Sequence, residues 1–287
     1  MENISPQLVK ELREKTGAGM GDCKKALVDA KGDIKGAIEI LRKKGAASAV
    51  KRADRSANEG LIALMTSQDH KRAVIAEINS ETDFVAKNSE FEKFSAAVAS
   101  ALIINDAQNL QELMSLKIDG DTIKGIYDEL LAKLGEKIEV RRFEILKTDG
   151  YFAEYLHAGS KLGVLVEVNI SNPTVKVQSM IRDIAMQVAA MNPSFIDRTL
   201  VTQEILDKEK EIYTQLAVTE GKKPEIAEKI AAGRLEKFFQ EQCLVEQTFV
   251  KDPNNTIADL LKEIAQEAGT EVKIIRFRRY FLGESLD

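Results

Sequence analysis

Apolar positions recur at helical spacing at the start of the chain and change to short, nearly continuous runs further on. Leu8, Val9 and Leu12 give one helix face behind Ser5-Pro6, a capping hydroxyl followed by proline at the first helical position. Thr16 to Gly19 reads as a turn. Asp22 is placed to cap a second helix carrying Cys23, Ala26 and Leu27, which stops at Lys31-Gly32. Asp33 opens a third, with Ile34, Ala37, Ile38 and Leu41 on one face. Gly45 to Asn58, rich in Ala, Ser, Lys and Arg, reads as a linker or an extended solvated helix.

From residue 60 the chain repeats itself. Gly60-Leu-Ile-Ala63 matches Gly150-Tyr-Phe-Ala153, and Ala73-Val-Ile-Ala-Glu-Ile-Asn79 matches Gly163-Val-Leu-Val-Glu-Val-Asn169, both 90 positions apart. Each copy predicts strand, polar turn, strand and then a helix, with Phe94, Val98 and Ala99 in the first and Ile184, Val188 and Ala189 in the second. Leu134-Gly135 to Arg142-Phe143 returns 134 positions later as Ala268-Gly269 to Arg276-Phe277, so the second copy holds 44 extra residues. Pro193 to Phe239 accounts for the surplus. Ile205, Ile212 and Leu216, a Glu220 to Pro224 turn, then Ile226, Ile230, Leu235 and Phe238 predict an antiparallel helical hairpin, suited either to a lid over the core or to an interaction arm.

The expected fold class is therefore α+β: an N-terminal three-helix domain, a duplicated antiparallel sheet–helix core and an inserted antiparallel helical hairpin. The boundaries expected are 1–54 for the helical domain with its linker, 55–147 for the first core subdomain and 148–287 for the second, with the hairpin at about 194–239.

One polar excursion, Ser80 to Phe91, places an acid beside an aromatic at Asp83-Phe84. A large ring on a loop is either folded back onto the core or held out for a partner. The repeat favours the second: the corresponding pair is Pro173-Thr174, so a large apolar side chain is not a packing requirement of the unit. Asn88 can end a short helical turn and Ser89-Glu-Phe-Glu92 can form a capping box, which places Asp83-Phe84 between two helix boundaries at one end of a sheet.

With 44% hydrophobic and 30% charged residues the composition is that of an ordinary soluble chain, and the net charge of −5 argues against non-specific binding to nucleic acid or membranes. No apolar run reaches membrane-spanning length. Met1 to Val9 shows neither a secretory nor a transit pattern, and Cys23 and Cys243 lie far apart, so a reducing, cytoplasmic location is expected. Two histidines, His70 and His157, with two unclustered cysteines make no recognisable zinc site. Gly17, Gly19 and Gly21 fail the dinucleotide fingerprint, because Asp22 stands at the third glycine position and a helix precedes them. There is no P-loop and no distinctive carboxylate pair. No cofactor, no metal and no catalytic residue is expected; the chain does not read as an enzyme.

Leu8-Val-Lys-Glu-Leu-Arg-Glu-Lys-Thr-Gly-Ala-Gly-Met20 with Asp22-Cys-Lys-Lys-Ala-Leu27 strongly resembles the N-terminal signature of bacterial elongation factor Ts. Thr82-Asp-Phe-Val-Ala-Lys-Asn88 is similar to the family's second signature, and Tyr155-Leu-His157, Gly163-Val-Leu-Val166 and Gln247-Thr-Phe-Val250 follow in the family's order. The resemblance implies a guanine nucleotide exchange factor that binds the GTPase elongation factor Tu in its GDP form and binds no nucleotide itself. It implies that Asp83 and Phe84 intrude beside the partner's magnesium and phosphate site, with Thr82 to Val85 as the magnesium-displacing segment. Leu12, Met20 and Lys24 match its N-terminal contacts; Leu134, Gly135, His157 and Val250 match contacts of the core. Gly21 stands where many members carry a second methionine, and the chain ends at Asp287, where some members continue into another helix. The three N-terminal helices with the Gly17-Ala-Gly-Met20 loop also resemble ubiquitin-associated domains, which makes a ubiquitin-type adaptor the alternative. A homodimer through the hairpin is a further expectation.

Overall fold

The computed structural model describes residues 4–52 and 54–285, so the expected domain ends at Met1 and Asp287 lie outside the described residues. Three helices come first: α1 (Pro6–Thr16), α2 (Met20–Asp29) and α3 (Ile34–Arg52). The Ser5 hydroxyl accepts the Leu8 N–H at 3.2 Å, and Gly17 closes α1 in the left-handed region at φ 67°. Asp33 accepts the Lys35 and Gly36 N–H groups and so caps α3. α3 runs on to Arg52, the extended-helix alternative for the segment after Gly45. Asp22 is a correction. α2 already starts at Met20 behind Gly19, so Asp22 lies inside the first turn, where its carboxylate pairs with Lys44 of α3 instead of capping. The three helices close over Val9, Leu12, Cys23, Ala26, Leu27, Ala37 and Leu41.

The rest is a mixed α/β fold of helices and small antiparallel sheets. β1 (Glu59–Thr66) and β2 (Arg72–Ser80) are followed by α4 (Asp83–Ala86), α5 (Ser89–Ile104), α6 (Leu110–Ser115), the ribbon β3 (Lys117–Ile118) and β4 (Asp121–Thr122), α7 (Ile123–Lys133) and β5 (Ile138–Lys147). The first sheet has the order β1-β2-β5. Then come β6 (Tyr151–Leu156), β7 (Leu162–Val168), α8 (Val175–Met191), α9 (Gln203–Thr219), α10 (Pro224–Gln242), the ribbon β8 (Thr248–Phe249) and β9 (Asp252–Thr256), α11 (Ile257–Ala268) and β10 (Ile274–Phe281). These give a second sheet in the order β10-β7-β6.

The two sheets pack face to face through Ile62, Ala73, Ile75, Leu146, Phe152, Leu165 and Tyr280. Their outer faces carry helices, with Val74, Ala76 and Ile78 under α5 and Val164, Val166 and Val168 under α8. The continuous apolar runs of β2 and β7 follow from this, since a strand buried on both faces has no polar alternation.

The second sheet reproduces the first at the shift of 90. Tyr151 pairs with Val168 as Leu61 pairs with Ile78. A Cβ on Gly60 would lie 2.1 Å from the Ile78 carbonyl oxygen, and one on Gly150 would lie 1.9 Å from that of Val168. His70 and Ser160 both take φ 55° in the hairpin turns. The buried Glu77 meets Arg142 and Glu167 meets Arg276, each beside a bulge in the third strand. Burial pushes Glu77 up, but the Gly283 N–H and the Arg141 and Arg142 guanidiniums outweigh it and hold the carboxyl below its ordinary range. Contacts between the sheets are reciprocal. Phe152 N–H donates to the His70 carbonyl and Ile62 N–H to that of Ser160; within each sheet, the Thr148 and Leu282 N–H groups donate to the Lys71 and Lys161 carbonyls and extend the β2–β5 and β7–β10 ladders.

α9 and α10 form the expected hairpin, turning at Gly221 (φ 83°) with Pro224 opening α10. Small residues, Ala217, Ala227 and Ala231, fill the seam. At the base, Phe195, Val201, Leu235, Phe239 and Cys243 make a separate cluster, and Arg198 clamps Glu236 and Glu246 while lying 4.4 Å from the centre of the Phe239 ring. The two helices pack mainly on each other.

Candidate partner-docking surface

The loop after β2 is built to hold one ring outward. Thr82 is extended and its hydroxyl oxygen accepts the Val85 N–H at 3.4 Å, capping α4. Within this single turn Val85 and Ala86 point into the core beneath α5, which leaves Phe84 on the opposite side with 83% of its surface exposed. The expected short helical turn is α4, with Asp83 and Phe84 as its first two residues, but it ends at Ala86 with Lys87 rather than Asn88 at its C-cap. The capping box at Ser89 is also corrected. Asn88, one residue earlier, accepts the Glu90 N–H at 2.9 Å, so Ser89 is already helical. Asp83 pairs with Lys87 at 2.8 Å, and that bond holds its carboxyl below the usual range and raises the lysine.

Neighbouring segments brace the mount. Glu136, just past α7, accepts the Thr82 N–H at 3.0 Å and the Thr82 hydroxyl at 2.7 Å. Glu81 in turn accepts the Lys137 N–H at 2.6 Å and binds Arg55. Glu90 joins Lys133 at 2.6 Å and Lys93 at 2.9 Å, and those bonds lower its carboxyl to about 2. On the other side of β1, Lys161 pairs with Glu59 at 2.7 Å, and both lie close enough to influence Asp83 and Lys87. The turn between β6 and β7, which carries His157, is thus joined through Lys161 to the start of β1.

The remaining expected contacts distribute unevenly. Leu134 is half-buried at the end of α7 and Gly135 beside it is exposed, directly before the bracing Glu136. The N-terminal helices dock on α7, Gly17 against the Lys133 side chain and Gly45 against Ala132. Met20 (47% exposed) and Lys24 stand one turn apart on the outer side of α2. Gly21 has open space around it: an added Cβ would meet nothing within 4 Å. His157 is exposed, its Nδ1 2.8 Å from the Tyr155 hydroxyl, and Arg182 lies 5.9 Å from the Tyr155 ring. Val250 is 44% exposed on a turn set by two buried glutamines: its N–H donates to Gln187 Oε1 at 2.9 Å, and Gln187 Nε2 donates to Gln247 Oε1 at 3.1 Å.

Two residues do not belong to the surface. Leu12 is fully buried in the three-helix core, where the apolar face of α1 must point, and cannot meet a partner without unfolding it. The Val85 side chain packs under α5, so that position joins the segment through its backbone alone. The bracing residues Glu81 and Glu136 belong to no motif in the sequence, and their only signal there is that Ser171 and Thr270 stand at the equivalent positions of the second copy. Among the described residues no group of histidine, cysteine and acidic side chains could hold a metal ion, and no helix is long and apolar enough to cross a membrane.

The sequence profile of the family described as Elongation factor TS matches residues 81–284. The chain belongs to the elongation factor Ts family. Relatives of that name agree along its length. The Elongation factor Ts of Clostridioides difficile (strain 630) is 44% identical over 287 residues, covering all of this chain and 95% of the relative. That of Prosthecochloris aestuarii is 46% identical over 288 residues, with 99% of this chain and all of the relative covered. That of Chloroherpeton thalassium is 43% identical over 289 residues, again with 99% and 100% coverage. In this elongation factor Ts family member the matched region contains α4, the Glu136 brace, the turn with His157 and Val250.

Proposed function

We propose that the chain is a guanine nucleotide exchange factor of translation elongation, docking on elongation factor Tu in its GDP form and promoting GDP release. Family membership supports the role, and the observation that carries the mechanism is the outward Phe84 on its braced turn. Phe84 wedges into an apolar gap on the GTPase, a burial that contributes about 1.5–3 kcal/mol. Asp83 brings negative charge towards the partner's magnesium and phosphates, where disturbed coordination weakens nucleotide binding. Coupling between the two ligands is reciprocal: weakening GDP a hundredfold requires GDP to weaken the factor equally, about 2.7 kcal/mol. No covalent bond changes, so the factor is not an enzyme in the usual sense and needs no cofactor.

In this reading Met20 and Lys24 extend the contact at the N-terminal helices, Leu134 and Gly135 adjoin the brace, and His157 and Val250 carry it across the second sheet. The chain divides at about residues 54 and 147 into a ubiquitin-associated-like helical domain and two related sheet–helix subdomains, the second bearing the hairpin. The protein works in the cytoplasm without binding nucleic acid. Ile212, Leu216 and Ile226, exposed on the hairpin, suit a homodimer contact. A ubiquitin-type adaptor is not favoured, because the likeness to the family runs the length of the chain and not only through its first helices.

Release of fluorescent GDP from elongation factor Tu tests the proposal. Wild type should accelerate release, and Phe84→Ala should lose most of that acceleration while remaining folded. No acceleration by wild type with a matched partner would overturn the function; full acceleration by Phe84→Ala would overturn the wedge.

A further inference from the structure

A four-residue helix does not hold its own geometry in water, because one turn cannot repay the cost of nucleation. The direction in which α4 holds Phe84 must therefore be imposed from outside. Val85 and Ala86 secure one side by packing. The other side is held by Glu136, whose two oxygens grip the N–H and hydroxyl of Thr82, the capping residue. The grip is doubled by Glu81 on the Lys137 N–H and tied to the N-terminal helices by Arg52, which donates to the Glu136 carbonyl at 3.2 Å.

The internal repeat provides a comparison within the same molecule. Strand register, the steric glycines, the glutamate–arginine pair and the bulge occur in both copies. The clamp does not. At the equivalent positions stand Asn172 for Thr82 and Thr270 for Glu136; Asn172 donates to the Ser171 hydroxyl, and a polar cavity of about 380 Å³ opens between these residues. That copy has Pro173-Thr174 in place of Asp83-Phe84. The carboxylate clamp accompanies the projecting ring and is no part of the common fold. We infer that Glu136 is a positioning residue for nucleotide exchange, acting through Thr82 to fix the direction of Phe84. This rests on the exchange reading above.

A double-mutant cycle separates the two ideas, with release of fluorescent GDP from elongation factor Tu followed for Glu136→Ala, Phe84→Ala and the double variant. Glu136→Ala should slow release by roughly 10-fold, the size expected on losing hydrogen bonds to a charged group, with a thermal midpoint lowered by no more than about 4 °C. Glu136→Gln should restore most of it, since its amide accepts the Thr82 N–H and donates to the hydroxyl oxygen. In the Phe84→Ala background, Glu136→Ala should have no further effect. If its full loss recurs there, or if Glu136→Ala matches wild type, the positioning role is overturned while the wedge stands. If Phe84→Ala itself is fully active, the wedge is overturned first. Should Glu136→Ala fail to fold, Thr82→Val, which keeps the shape and removes the hydroxyl, is put through the same cycle and read in the same way.

Discussion

Alanine at Gly60 and at Gly150 places the same steric fault in the two sheets, with different functional consequences. The added Cβ would lie 2.1 Å from the Ile78 oxygen in the first case and 1.9 Å from the Val168 oxygen in the second, against a lower limit of 3.0 Å for real contacts. The obstacle is a backbone carbonyl of a central strand, which cannot rotate aside, so the strands must part by roughly 1 Å. Overpacking of this kind costs about 1–3 kcal/mol. Loss of a ladder hydrogen bond adds about 0.5–1.5 kcal/mol. Gly60 also sits at φ 139°, a region alanine avoids, which adds about 1–3 kcal/mol. The reduced freedom of the unfolded chain offsets about 0.4–1 kcal/mol. Urea unfolding followed by circular dichroism should thus show losses of about 2–3 kcal/mol for Gly150→Ala and about 3–5 kcal/mol for Gly60→Ala, combining these terms. Gly135→Ala, with open space around it, should stay within about 0.5 kcal/mol of wild type. Exchange then distinguishes the copies at a temperature where all variants are folded. Gly60 opposes the end of β2, from which the Phe84 mount springs, so Gly60→Ala should slow GDP release; Gly150→Ala displaces the end of β7 and should not. Stability within 0.5 kcal/mol of wild type for either variant, or equal exchange by both, would refute the reasoning.

The N-terminal helices give a contrasting pair. Leu12→Ala should destabilise that unit by about 2–5 kcal/mol, as expected for a core leucine, whereas Met20→Ala should leave the unfolding midpoint unchanged and weaken binding to elongation factor Tu. A titration calorimeter reading the same affinity for Met20→Ala as for wild type would remove that residue from the contact. Acid stability follows from Glu90, which Lys133 and Lys93 hold at about 2 against an ordinary 4.5. A depressed carboxyl contributes stability that is present above pH 4.5 and is lost as pH falls from there towards 2, because over that range the unfolded chain takes up the proton while the folded state does not. Urea midpoints should accordingly drop across that window, and Glu90→Gln should show a shallower drop than wild type.

Much of this architecture was legible because its causes are local or repeated. Ser5, Gly17 and Asp33 mark helix ends through their own side chains or backbone, and they do so wherever the rest of the chain lies. The repeat at 90 positions could be read because each sheet imposes the same demands on Gly60 and Gly150 and on Glu77 and Glu167. The exposure of Phe84 follows from its missing counterpart, since Pro173-Thr174 in the second copy shows that the unit packs without a large ring at that place. Other features depend on which chemically suitable neighbour arrives first. Asp22 and Ser89 have the right side chains for caps, but α2 begins three residues and α5 one residue earlier than those caps would set, so Asp22 pairs with a lysine instead and an asparagine takes the place of Ser89. The apolar spacing of α1 cannot say whether Leu12 faces its own core or a partner; only the packing of α2 and α3 against it does. The Glu136 clamp joins residues 54 positions apart, and no pattern along the chain encodes such a distance. Periodicity and capping determine the elements because they act between near neighbours, while the direction of Phe84 is decided by hydrogen bonds that exist only once the folded chain has brought Glu136 to Thr82.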